Sequence, residues 1–96
     1  MTTLSTHVLD TTAGAPARDV AVVLDGGAAE GRTDADGRCR FDVDLDPGTH
    51  RLTFDTGARS DFYPEVTVTF SIPADRSHVH VPLLLSPYSY STYLGS

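Results

Sequence analysis

Apolar and polar residues alternate along most of this chain with a period of two, the spacing of a β-strand rather than a helix. Val20, Val22 and Leu24 alternate with Ala21 and Val23, a largely apolar run suited to a central strand. Phe41, Val43 and Leu45 alternate with Arg40, Asp42, Asp44 and Asp46, and Leu52 and Phe54 with Arg51, Thr53 and Asp55. Val66, Val68, Phe70 and Ile72 alternate with Glu65, Thr67, Thr69 and Ser71, and Val79, Val81 and Leu83 with His78, His80 and Pro82. In each set the apolar members face a core and the polar members face away from it. Turn chemistry separates the runs at Gly14-Ala15-Pro16, Asp25-Gly26-Gly27, Asp34-Ala35-Asp36-Gly37, Asp46-Pro47-Gly48 and Thr56-Gly57. Seven or eight short strands so spaced predict an antiparallel β-sandwich. The one place for a helix is Thr56–Tyr63, which has room for no more than a turn or two.

Composition narrows the picture without changing it. The 96 residues form a single domain, 1–96, and 40% of them are hydrophobic, the balance of a folded globule. The net charge is −6, and lysine is absent. An acidic chain without lysine lacks the basic footprint that nucleic acid or an anionic membrane requires, so neither is expected as a partner. Cys39 is the lone cysteine, which excludes an internal disulfide framework. No apolar run approaches the roughly 20 residues of a membrane span. Met1–His7 has neither a positive nor an apolar region of a leader, so a soluble cytoplasmic protein is expected.

Histidine carries most of the candidate chemistry. His78 and His80 lie two apart in a strand, so both rings leave the face opposite Val79 and Val81. Three readings stand: solvated surface histidines, a cluster gathered at an interface, or half of a zinc site. The zinc reading needs a third ligand, for which His7 is the only donor, and no Asp or Cys is spaced to complete a local site; no metal is assigned. His50 follows a Pro-Gly turn and is expected at the surface. Asp34-Ala35-Asp36-Gly37 lacks the remaining ligands of an EF-hand loop, which leaves Arg38 as an arginine at a strand entrance. Cys39 alternates away from Arg38 and reads as a small buried hydrophobe. No Gly-flanked nucleophilic serine and no phosphate-cradling glycine loop is present. Tyr88, Tyr90 and Tyr93 near the end are expected to share one face of an edge strand, as a subunit contact or as a plain aromatic face.

The run from His78-Val79-His80-Val81-Pro82 through Leu83-Leu84-Leu85-Ser86-Pro87-Tyr88-Ser89-Tyr90-Ser91-Thr92-Tyr93 to Gly95-Ser96 resembles the C-terminus of the transthyretin-like 5-hydroxyisourate hydrolases. Ser5-Thr6-His7-Val8-Leu9-Asp10 with Gly14-Ala15-Pro16-Ala17, Thr33–Arg38, and Phe62-Tyr63-Pro64-Glu65-Val66 resemble other motifs of that family. The resemblance implies an all-β, prealbumin-like sandwich of two four-stranded sheets, assembled as a homotetramer (a dimer of dimers) with active sites in a channel where two dimers meet. It implies a small-molecule substrate, 5-hydroxyisourate, opened by water to 2-oxo-4-hydroxy-4-carboxy-5-ureidoimidazoline without metal or organic cofactor. His7, Arg38, His80 and Ser96 are the catalytic residues carried over, with Tyr93 and Gly95 beside them as substrate-binding residues. Histidines suit the proton transfers of such a reaction, and a nearby guanidinium keeps an imidazole neutral by like-charge repulsion. Two departures stand out: Leu94 occupies the arginine position of the family's Tyr-Arg-Gly-Ser ending, and Thr56–Asp61 is too brief for the family's usual short helix. The rival readings are a non-catalytic transthyretin-like carrier of small molecules and a structural sandwich module.

Overall fold

A computed structural model describes residues 2–96. Among the described residues nine strands form two sheets: β1 (Thr3–Asp10), β2 (Ala15–Pro16), β3 (Ala21–Leu24), β4 (Ala29–Arg32), β5 (Arg38–Phe41), β6 (Gly48–Asp55), β7 (Glu65–Ile72), β8 (His78–Leu85) and β9 (Tyr90–Thr92). One sheet runs β4-β3-β6-β7, with the apolar run of β3 in an interior position as expected. The other runs β2-β1-β8-β9, with β5 also paired to β1. Since β8 covers one edge of β1 along its whole length, β2 and β5 share the opposite edge end to end. The expected four-wide sandwich is therefore present, and the ninth strand is the two-residue β2, whose Pro16 sits where a missing N–H does least harm.

The β1–β8 pair is parallel, not antiparallel, from Thr3↔His78 to Asp10↔Leu85. These strands are joined through the whole of the other sheet, so no hairpin forces them antiparallel. Leu4, Val8, Val22, Leu24, Leu52, Phe54 and Leu83 are completely buried between the sheets. Each such side chain contributes roughly 1.5–3 kcal/mol by leaving water, and together they fix which face of β1 and β8 points outward. No helix among the described residues is long and apolar enough to cross a membrane.

Three local features differ from the expected pattern or complete it. The strand expected through Phe41, Val43 and Leu45 lies earlier: β5 ends at Phe41, and Val43 is 36% exposed. Beyond Phe41 the chain is held to the N-terminal segment instead, with Thr2 N donating to Asp44 Oδ1 (3.1 Å) and Leu45 N to Thr2 O (2.9 Å). The segment Thr56–Tyr63 is a single turn, in which Arg59 N and Ser60 N both donate to Thr56 O. The three tyrosines do not share a face, because their spacing is two and then three and β9 stops at Thr92. Tyr90 packs edge-on against Tyr63 (5.0 Å between centroids) and Tyr88 against Phe62 (6.0 Å).

His50 is no plain surface residue: its side chain is 12% exposed. Nδ1 meets Asp25 Oδ2 at 2.6 Å and Nε2 meets Asp46 O at 2.7 Å. Two acceptors on one ring call for the doubly protonated imidazolium. The Asp25 hydrogen bond accordingly raises the His50 pKa above its usual value. For Asp25, burial pushes upward, but the His50 and Arg51 hydrogen bonds and charges outweigh it and the pKa falls. A raised folded-state pKa contributes stability that is complete below the unfolded value of about 6.5 and is lost as pH rises through the folded one. The lowered carboxylate makes its contribution above its unfolded value and loses it only in acid. The thermal midpoint of the native chain relative to His50→Asn is therefore expected to drop between pH 6 and pH 8.5. Calorimetry giving a pH-independent difference would show that the ring is held neutral.

Candidate functional site

Alternation in three adjacent strands places one polar cluster on the outer face of the β1 sheet. In β1, Leu4, Thr6 and Val8 point inward at zero exposure, which turns Ser5 and His7 outward. In β8, buried Val79 and Val81 turn His78 and His80 outward; in β5, buried Cys39 and Phe41 turn Arg38 and Arg40 outward. Cys39 is the small buried residue expected, and burial raises its thiol pKa. The register makes rows across the sheet: Arg40–Ser5–His80 continued by a bridge from His80 to Gly95, and Arg38–His7–Pro82 beside it. Ser5, Arg38, Arg40, His78, His80 and Ser96 line the resulting groove, which holds about 340 Å³.

The turn before Arg38 explains the Thr-Asp-x-Asp-Gly-Arg motif. Asp34 Oδ1 accepts from Asp36 N (2.9 Å) and Arg38 N (3.0 Å), an Asx turn that aims Arg38 at the groove. The backbone hydrogen bond from Arg38, with help from Asp36 N and the nearby Arg38 and His7 charges, prevails over desolvation and lowers the Asp34 pKa. Gly37 has φ +76°, and a Cβ there would come within 2.5 Å of Val8 O. Only glycine fits both demands. Thr33, 4% exposed, closes the loop by donating to Ala17 O (2.7 Å) and accepting from Val20 N (2.8 Å). The motif is a device for presenting Arg38.

His80 sits at the centre. Its Nδ1 shares a hydrogen bond with Ser5 Oγ (2.7 Å), and Gly95 N donates to its carbonyl (2.8 Å). Burial lowers its pKa most, and the His7, His78 and Arg38 charges lower it further, against a backbone hydrogen bond at Ser5 that acts upward. The ring is therefore neutral near pH 7 and able to accept a proton. His7 lies beside the groove, across from Arg38; its Nε2 donates to Asp36 O (2.7 Å), so a neutral His7 keeps its lone pair on Nδ1.

Of the residues expected at the site, Arg38, His80 and Ser96 line the groove, with His7 and Gly95 at its border. Tyr93 lies elsewhere, 58% exposed, in a second groove of about 210 Å³ with Val68, Phe70, Val79, Val81 and Leu94. The departure at position 94 thus falls outside the His80 groove. Among the described residues no group of three His, Cys, Asp or Glu is placed to hold a metal. Ser5 and Arg40 are groove residues that the motif reading did not single out. Ser5 is the outward neighbour of His7 in β1, but only the parallel register sets it against His80.

The model of the HIUase/Transthyretin family matches residues 4–95. The 5-hydroxyisourate hydrolase of Caulobacter vibrioides is 44% identical over 115 residues, spanning 100% of both chains. The structure of Klebsiella pneumoniae 5-hydroxyisourate hydrolase, 39% identical, superposes with a TM-score of 0.86 over 98% of this chain and 99% of that one. Sea bream transthyretin, in a complex with thyroxine, is 32% identical and superposes with a TM-score of 0.84 over 96% of this chain and 93% of its own. Matched from β1 to the bridge beside His80, this chain belongs to the HIUase/transthyretin family.

Proposed function

We propose that this chain hydrolyses 5-hydroxyisourate, opening its cyclic amide with water to give 2-oxo-4-hydroxy-4-carboxy-5-ureidoimidazoline. The fold does not discriminate between enzyme and carrier, because the hydrolase and transthyretin structures superpose almost equally well. The carrying observation is the placement of His80, whose pKa burial lowers, and of Arg38 in one groove. His80 takes a proton from water as the oxygen attacks the amide carbonyl. Arg38 donates charge-assisted hydrogen bonds to the oxygen that becomes negative. The C–N bond then breaks, and the ring nitrogen receives a proton from the imidazolium. His7 stands ready as a second proton carrier through Nδ1, and the Ser96 hydroxyl orients water or substrate at the groove.

The reading includes a cytoplasmic homotetramer, a dimer of dimers, in which a second copy closes the open groove. It is supported by the unpaired edges of β7 and β9 and by exposed Phe62, Tyr88 and Tyr90 near β9. Sedimentation at about four times the 10.3 kDa protomer mass is the expected result. The activity test follows the ultraviolet absorbance of freshly generated 5-hydroxyisourate. Decay well above the spontaneous rate supports the hydrolase; saturable binding with no acceleration supports the carrier.

A further inference from the structure

The outer face of β1 and β8 carries more order than the proposed reaction has used. Thr3 Oγ1 meets His78 Nδ1 at 2.6 Å, His78 Nε2 meets Ser5 Oγ at 2.8 Å, and Ser5 Oγ meets His80 Nδ1 at 2.7 Å. These contacts form one unbroken chain of four side chains. The parallel register creates it, setting Thr3 opposite His78 and Ser5 opposite His80. We propose that Ser5 and His78 are positioning residues: a proton relay that fixes the tautomer of His80 and shares the charge it acquires. The inference rests on the assignment of His80 as the base in the proposed hydrolysis.

Proton counting gives the relay its direction. A hydroxyl and a neutral imidazole each have one proton to donate, so a chain that uses every proton internally can run in only two directions. In one, Thr3 donates to His78, His78 to Ser5, and Ser5 to His80 Nδ1, which leaves the His80 proton on Nε2. In the other, His80 Nδ1–H donates to Ser5, Ser5 O–H to His78 Nε2, and His78 Nδ1–H to Thr3. The second leaves a lone pair on His80 Nε2. With Nδ1 on Ser5 and Cδ2 turned toward Gly95, Nε2 is the ring nitrogen left for the groove. The Arg38 and Arg40 guanidiniums line that groove. A lone pair facing cations is favoured over an N–H facing them, so the second direction is the resting one.

When His80 Nε2 takes a proton from water, its Nδ1 proton can pass to Ser5 Oγ while the Ser5 proton passes to His78 Nε2. The positive charge then resides on His78, farther from the guanidiniums. The reverse passage restores it to His80 as the ring nitrogen of the substrate departs and takes the Nε2 proton. No proton is gained or lost over the cycle, and no oxidation occurs. This is the role of the group that orients the base in a nucleophile–base–orienter arrangement, filled by a serine and a second histidine.

The charged groups around the relay are His7 from β1, Arg38 (backed by Asp34) and Arg40 (paired with Asp42) from β5 and its flanks, and Ser96 from the tail. Nitrogen-15 spectra of the native protein at pH 8 test the resting state without using turnover. His80 and His78 rings both protonated at Nδ1 support the relay, and either ring protonated at Nε2 overturns it. Kinetics test its use. Ser5→Ala is expected to lower kcat by roughly 10- to 100-fold, by analogy with the loss of the hydrogen-bond partner behind a metal-ligating histidine, with KM little changed. Ser5→Thr, which keeps the hydroxyl, is expected to recover most of the loss. His78→Gln removes the ring that shares the charge His80 acquires, so the acid limb of kcat/KM should move to lower pH. Wild-type kcat in Ser5→Ala together with an unmoved acid limb in His78→Gln would overturn the relay. If either variant fails to fold, the native spectra still decide. A native chain that does not turn over 5-hydroxyisourate would overturn the function, leaving the tautomer at His80 as a separate result.

Discussion

His80→Ala is expected to lower kcat for 5-hydroxyisourate by at least ~100-fold, the scale set by loss of a positioned general base. Arg38→Ala is expected to do the same through loss of electrostatic stabilisation of the oxyanion, where one missing donor costs about 10²–10³. Neither change should unfold the protein. Arg38 is exposed, and the turn that carries it is held by backbone and Asp34 contacts that alanine retains. Removing the His80 ring leaves Ser5 Oγ still bonded to His78. Circular dichroism should therefore give near-native midpoints while turnover collapses, which separates the chemical role from a structural one. The double variant is expected to lose less than the product of the two single losses, because in the proposed reaction His80 and Arg38 act on one transition state. Near-native turnover in either single variant would remove that residue from the mechanism.

How much of this was legible in the residues depends on range. Period-two alternation is a local property, and it placed His78 and His80 on the outward face, Cys39 in the core, and β3 in a sheet interior. The motif resemblance brought His7, Arg38, His80 and Ser96 forward before any geometry was known. What alternation cannot supply is register between distant strands. The parallel pairing of β1 with β8 was hidden for that reason, and with it the contact of Ser5 with both outward histidines. His50 was misread because the groups that bury its nitrogens, Asp25 and Asp46, come from two different turns. The strand through Val43 and Leu45 failed for another reason. Its pattern was right for a strand, but the Asp44 carboxylate and the Leu45 N–H are used against Thr2, so a tertiary anchor prevailed over local periodicity.

The tail shows how a residue without a side chain controls the site. A Cβ at Gly95 would lie 2.4 Å from His80 Cδ2 and 3.2 Å from both His80 Cγ and His80 O. The first distance is far inside van der Waals contact, and the ring cannot simply swing aside, because Ser5 holds its Nδ1. Gly95→Ala must therefore detach the tail from β8 or tilt the imidazole off Ser5. Either outcome displaces a groove residue: Ser96 in the first case, the base in the second. A shift of about 1 Å in a reacting group can lower a rate roughly 10²-fold, and a loss of that size in kcat is the expected result. The stability change should be small, since the bridge contributes one backbone hydrogen bond, worth about 0.5–1.5 kcal/mol. Ser96→Ala is the companion measurement, removing a hydroxyl without touching the ring. If Gly95→Ala matches Ser96→Ala in turnover and in the His80 imidazole spectrum, the tail has moved and the base has not. If it resembles Ser5→Ala instead, the methyl has displaced the ring. Wild-type kcat in Gly95→Ala would mean that the close packing of tail on imidazole has no part in catalysis.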